Sequence, residues 1–199
     1  STEPKMNSTQ PNGQTDLTNI YSRHLEHLGP DFERIERQSW GKPGDIIDYV
    51  YTTVIPSVAN NQAVRKTFVN DRVGNVKEYF YDNANRNVIY REYTGRADPD
   101  LPTNLDTNFN PPLNPLRPTD PAFFETLWEY NKDGLATRQV FPNGNSIELV
   151  YDVANPGRRS QGNLIERRRL PGPLGGDQAQ IVETYQYDEE FAGCCGTNF

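Results

Sequence analysis

Residues 80–95 read FYDNANRNVIYREYTG. Tyr81 is followed at once by Asp82, then by the small polar run Asn83-Ala84-Asn85, and then by a stretch rich in β-branched and aromatic residues. Asp and Asn hydrogen-bond their own downstream backbone, and Asn tolerates positive φ, so the pattern is that of a strand, a tight turn and a second strand. Whether this hairpin stands alone or is one copy of a repeated unit decides between a fold built around a site and a fold built as a wall.

Aromatic pairs spaced two apart recur along the chain: Tyr49 with Tyr51, Tyr79 with Tyr81, Trp128 with Tyr130 and Tyr185 with Tyr187, with Leu149 and Tyr151 as a near relative. Residues at i and i+2 share one face of a strand, and aromatics fit a pleated, half-buried surface, so each pair reads as two large anchors pointing to one side. A helical period fits these windows less well. Asp82, Asn131, Asp152 and Asp188 follow four of the pairs, and turns follow three: Asn83-Ala84-Asn85, Lys132-Asp133-Gly134 and Val153-Ala154-Asn155. A second set, Arg72-Val73-Gly74-Asn75 and Pro142-Asn143-Gly144-Asn145, leads back into strands, so the chain is expected to meander. A longer similarity links Glu33–Tyr51 with Glu166–Tyr187, as though a second round begins there. The second round stops at Phe199, which reads as a cut end, and Ser1 as the start of a processed or interior piece.

Composition sets the outer limits. At 199 residues with 34% hydrophobic content and a mean hydropathy of −0.83, a deep core is disfavoured and a thin-walled fold is favoured. The aromatic share of 11% is too high for a disordered polar chain. A net charge of −7 argues against nucleic-acid and anionic-membrane partners. No apolar run is long enough for a transmembrane helix, and residues 1–20 lack the apolar stretch of a signal peptide. Residues 97–125 carry seven prolines, which exclude a regular helix or central strand; Phe109, Phe123 and Phe124 point to an ordered segment laid over a surface.

Taken together, the words Tyr81-Asp82, Tyr130-Asn131, Tyr151-Asp152 and Tyr187-Asp188, with the turns at Gly74-Asn75, Gly144-Asn145 and Gly162-Asn163, resemble the YD-repeat or rearrangement-hot-spot (Rhs) proteins. The resemblance runs from about Glu33 to the end of the chain. It implies a β-sheet of hairpins that spirals into a hollow shell, in large bacterial proteins that are secreted or sit at the cell surface, often around an enclosed toxin domain. The family's self-cleaving segment has no counterpart, because Asp98-Pro99-Asp100 lacks the required glycine, and no toxin domain is present in this sequence.

Other features carry ordinary readings. His24 and His27 fit a short solvated helix ending at Gly29-Pro30 better than a metal site, since no third ligand is near. Cys194-Cys195 are adjacent and seldom reach disulfide geometry, and no histidine lies near them in sequence. Arg167-Arg168-Arg169 is expected to pair across strands with Glu166, Glu183 or Asp188. Asn7-Ser8-Thr9 matches a glycosylation sequon that is frequent by chance.

The expectation is therefore an all-β, meandering antiparallel hairpin-repeat fold in a curved or spiral sheet. Residues 1–32 form a polar segment with a short helix, and residues 33–199 form the repeat sheet, interrupted at about 97–125. The expected role is a non-enzymatic shell segment, extracellular or at the cell surface, without cofactor or metal, whose partners are neighbouring repeats of the same or an identical chain and an enclosed toxin domain. The alternatives are a subunit of a fibre or adhesin built by edge-to-edge strand addition, and a glycan-binding or hydrolytic β protein.

Overall fold

A period of two runs through most of the chain, and strands form where it does. The computed structural model describes residues 17–21, 34–40, 45–97, 109–174 and 179–187. Its strands are β1 (Leu17–Tyr21), β2 (Ile35–Trp40), β3 (Ile46–Thr53), β4 (Arg65–Asn70), β5 (Asn75–Tyr81), β6 (Asn87–Arg96), β7 (Phe123–Tyr130), β8 (Ala136–Val140), β9 (Ser146–Tyr151), β10 (Leu164–Leu170) and β11 (Ile181–Thr184). All lie side by side in chain order in one antiparallel sheet, and no α-helix occurs among the described residues. The all-β meander read from the hairpin words is the architecture found.

The chain divides into two compact units, Ser1–Thr126 and Leu127–Phe199. In the first, β3 buries Ile46, Asp48 and Val50, and β5 buries Val76, Glu78 and Phe80. Register places Val50 opposite Phe68, Phe68 opposite Glu78 and Glu78 opposite Arg91. Val50, Phe68, Val76 and Tyr93 make the core, with Ala97, Phe109 and Phe123 packed on it. The Phe68 and Phe109 rings sit 4.9 Å apart and the Tyr93 and Phe123 rings 5.5 Å apart. Burying such a side chain contributes on the order of 2 kcal/mol. Phe109 and Phe123 thus bring the middle and the C-terminal end of the proline-rich stretch onto the core, while Phe124 is exposed.

The tyrosine pairs lie on the shallower side of this sheet. Tyr49 with Tyr51, and Tyr79 with Tyr81, do share a side, but that side is only half-buried. The deepest residues are those between and beside them, because the apolar cover from Phe109 and Phe123 lies on the opposite side of the sheet. The proline-rich interruption separates β6, which ends at Arg96, from β7, which begins at Phe123.

The turns explain why Asp, Asn and Gly stand where they do. At 71–75, 82–86, 131–135 and 141–145 the first residue's N–H donates to the carbonyl of the fifth, and the fourth residue's N–H donates back to the first carbonyl. The fourth position is Gly74, Asn85, Gly134 or Gly144, with φ of 80°, 62°, 84° and 80°. This is the three-residue hairpin loop whose last position must be left-handed, which glycine and asparagine accept at least cost. In three of the four turns the first side chain adds a second tie: Oδ1 of Asp71, Asp82 or Asn131 accepts two backbone N–H groups, from the third and fifth residues. Asp152 departs from this expectation. Its N–H donates to the Asn163 carbonyl, so Asp152–Asn163 is one longer loop, held partly by an Asn155 Nδ2 bond to the Asp152 carboxylate at 2.8 Å.

In the second unit most strand residues are half-buried. Arg167 and Arg169 meet Glu183 at 3.7 and 3.2 Å and Arg168 meets Glu148 at 3.8 Å, the cross-strand neutralisation the alternating charges anticipate, whereas Glu166 meets Arg168 within β10 itself. Tyr185 and Tyr187 lie just beyond β11, which ends at Thr184. Tyr185 N–H still reaches the Ile165 carbonyl at 3.0 Å. β1 falls inside the segment that the sequence leaves outside the repeats. His24, His27, Asp98 to Asp100, Asp188, Cys194, Cys195 and the Asn7 sequon lie outside the described residues.

Candidate functional site

Two clusters of polar side chains occupy opposite sides of the β3–β6 sheet. On the core side, Glu78 is 1% exposed. Alternation in β5 places it in the same phase as Val76 and Phe80. Its carboxylate accepts from Lys66 Nζ at 3.0 Å, Tyr93 Oη at 2.8 Å and Arg91 at 3.4 Å. Arg91 Nε in turn donates to Glu125 at 2.6 Å. The two cations also lie over rings: Lys66 is 4.6 Å from the centroid of Phe68, and Arg91 4.5 Å from that of Phe123 and 5.0 Å from that of Phe80.

Two carboxylates and two cations thus balance in a neutral, aromatic-walled cluster. Burial, then the neighbouring Glu78 charge, raises the Tyr93 phenol and keeps it a donor. Burial acts to lower Arg91, but the bond and charge of Glu125, with Glu78, outweigh it and hold the guanidinium charged. A second buried carboxylate, Asp48, is met by a two-pronged Arg37 contact at 2.6 and 3.0 Å. An isolated charge this deep would be expelled or neutralised, whereas a paired and fully bonded one is tolerated. The three donors around Glu78 come from β4 and β6, so the cluster ties β5 to both of its neighbours.

On the other side lie Tyr49, Tyr51, Tyr79, Tyr81 and Tyr90. Tyr79 and Tyr90 face each other across β5 and β6 with ring centroids 5.0 Å apart and planes at 43°. Burial raises the phenols of Tyr49, Tyr79, Tyr81 and Tyr90. The charge of Glu92 adds to this for Tyr79 and Tyr90, and Tyr49, Tyr81 and Tyr90 each lie near enough to the Tyr79 phenol for a second ionisation beside it to be disfavoured. Tyr79 is therefore the centre of a group of neutral phenols. Tyr90 Oη donates to Glu92 at 3.3 Å.

The last tyrosine of several pairs serves as a latch. Tyr51 Oη donates to the Ile35 carbonyl at 2.8 Å, Tyr151 Oη to that of Ala136 at 2.9 Å, and Tyr187 Oη to that of Leu164 at 3.0 Å. Each acceptor is the first residue of the preceding strand. Two devices thus recur at strand ends: a tyrosine ring closes the neighbouring strand at Tyr51, Tyr151 and Tyr187, and the residue after Tyr81 and Tyr130, Asp82 or Asn131, shapes a tight turn.

Of the residues singled out from the sequence, Tyr49, Tyr51, Tyr79 and Tyr81 come together with Tyr90, while Trp128, Tyr130, Asn131, Tyr151 and Asp152 belong to the second unit. Gly74, Gly134 and Gly144 occupy the left-handed turn positions, and Asn75 opens β5. The buried Glu78 cluster and Asp48 escaped the sequence reading. Their signal was present as an acidic residue in the buried phase of an apolar alternation: Ile46-x-Asp48-x-Val50 and Val76-x-Glu78-x-Phe80. Among the described residues no group of three or more His, Cys, Asp or Glu side chains is placed to hold a metal ion, and no helix is long and apolar enough to cross a membrane. No protein-family model and no curated protein matches the chain.

Proposed function

We propose that the chain is a wall segment: a non-enzymatic stretch of hairpin repeats within a large bacterial YD-repeat protein, extracellular or at the cell surface, whose sheet encloses a cargo such as a toxin domain. The observation that carries this reading is the recurrence of one mechanical unit. Among the described residues the same five-residue turn appears four times, and the same tyrosine-to-carbonyl latch closes strand ends in both units. A unit repeated this way buries little on its own and gains stability from stacked neighbours, as walls and solenoids do. The charged groups of the buried cluster are spent on one another, which suits a load-carrying sheet.

A second reading, edge-to-edge addition of identical chains into a fibre, draws support from β11. Among the described residues it has a strand partner on one side only, β10, and it carries exposed Ile181 and Val182. Such an edge offers unpaired backbone groups to another strand. Electron microscopy of the polypeptide encoded by the whole reading frame separates the two. Closed hollow particles are expected for the wall, filaments support the fibre, and a solid globule with a measurable turnover would remove both.

A further inference from the structure

The tyrosine group on the open side of β5 and β6 is placed for a covalent reaction that the wall reading does not require. We propose that Tyr79 and Tyr90 are an oxidative cross-linking site, coupling to one another as an intramolecular dityrosine that ties β5 to β6. The two residues are direct cross-strand partners, so the backbone ladder holds their rings together with no search. The centroids stand 5.0 Å apart with the planes at 43°, a tilted ring contact. Both side chains are half-buried, which leaves them within reach of a small oxidant.

The chemistry balances with hydrogen peroxide, turned over by a peroxidase, as the electron acceptor. Each phenol gives up one electron and its hydroxyl proton. The two phenoxyl radicals join through a new C–C bond between ring carbons ortho to the oxygens. Each of those carbons then releases its hydrogen as a proton while a proton returns to the oxygen, restoring two phenols. Two C–H bonds are broken, one C–C bond is formed, and the two electrons and two protons convert one peroxide into two waters.

The site supplies a proton acceptor for the first step. Tyr90 Oη is hydrogen-bonded to the Glu92 carboxylate at 3.3 Å, so its proton has a place to go as the electron leaves. Elsewhere the hydroxyls of Tyr51, Tyr151 and Tyr187 are engaged with backbone carbonyls, and that of Tyr93 with the buried Glu78. The product would add a covalent tie to a hairpin that the backbone ladder and the Glu78 cluster otherwise hold.

The test uses the full 199-residue chain, diluted to disfavour contact between molecules, and a photochemical one-electron oxidant small enough to reach half-buried rings. Cleavage after Lys77, Arg86 and Arg91 releases residues 78–86 and 87–91 as separate peptides. The expected product is these two peptides joined and two hydrogens lighter than their sum, with dityrosine fluorescence and no dimer on a denaturing gel. Tyr79→Phe and Tyr90→Phe each keep the ring packing and should abolish the joined product. Tyr81→Phe, altered in the same peptide as Tyr79, should leave it, and Glu92→Gln should lower its yield several-fold. A joined product that survives Tyr79→Phe, linkage only between different molecules, or no dityrosine at all would each overturn the assignment.

Discussion

Asp82 offers the most informative single perturbation, because the chain itself contains the control. The Asp82 Oδ1 atom accepts the Ala84 and Arg86 N–H groups at 2.9 Å each, and Oδ2 accepts Arg86 Nε at 2.8 Å. In the turn after β7, Asn131 holds the equivalent N–H groups of Asp133 and Leu135 at 3.0 and 2.9 Å with a neutral amide oxygen. Asp82→Asn should therefore keep both backbone bonds and lose only the charge. The Arg86 side chain is 29% exposed, and ion pairs open to water are worth about 1 kcal/mol or less, so this variant should cost about that much. Asp82→Ala removes the acceptor altogether. Two backbone donors lose a charged partner, which at about 1.5 kcal/mol per bond gives about 3 kcal/mol, reduced towards 2 because water reaches the turn.

Acid supplies an independent check of the same residue. Burial acts to raise the Asp82 carboxyl, but the bonds from the Arg86 side chain and the Arg86 and Ala84 N–H groups, with the Arg86 charge, outweigh it and hold it below the usual carboxylate range. A carboxyl depressed by folding stabilises the native state above its unfolded pKa, near 4, and that contribution fades as pH falls through the lower folded value. Urea unfolding followed by circular dichroism at pH 7 and pH 3 measures both effects. The wild type should lose more stability on acidification than the Asn variant, and the midpoints at pH 7 should rank wild type, Asn, Ala, with unchanged slopes. Equal loss in both variants, or no loss beyond a few tenths of a kcal/mol in Asp82→Ala, would refute the turn mechanism.

Three further outcomes follow from named contacts. Glu78→Gln should cost about 2–3 kcal/mol in urea unfolding, below the full penalty for breaking a buried pair because Lys66 and Arg91 retain some access to water and Arg91 keeps Glu125; a neutral result would mean the cluster is not coupled to folding. Gly74→Ala places a methyl against the Ala97 carbonyl oxygen at a φ of +80°, so the thermal midpoint should fall by several degrees, equivalent to about 2 kcal/mol or more. Tyr151→Phe removes a 2.9 Å bond to the Ala136 carbonyl and leaves the ring; calorimetry should register a loss of about 1 kcal/mol, and no change would strip the latch of its role.

The alternation of residues made the strands readable in the sequence, and the turns were readable from their chemistry. Asp71, Asp82 and Asn131 sit where a side-chain acceptor is needed, and Gly74, Asn85, Gly134 and Gly144 where φ must be positive. Which side of the sheet is deep was not readable from alternation. In β3 and β5 both phases contain large residues, and the choice between Tyr79 with Tyr81 and Val76 with Phe80 depends on where Phe109 and Phe123 return to the sheet. That return crosses a proline-rich stretch whose path no local rule specifies. The Glu78 cluster was hidden for a related reason: a glutamate in a strand reads as solvent-facing until Lys66, Arg91 and Tyr93 are seen to converge on it from β4 and β6. The length of the loop after Asp152 was obscured because Val153-Ala154-Asn155 has turn composition but the neighbouring strand resumes only at Leu164.

The account rests on successive antiparallel hairpins in a fixed register, and backbone proton NOEs measure that register directly. Cross-strand contacts between Val50 and Phe68, Phe68 and Glu78, Tyr79 and Tyr90, and Gln139 and Ile147 are the predicted result. Helical contacts three residues apart through Tyr79–Tyr81, or strands paired one residue out of this register, would contradict it.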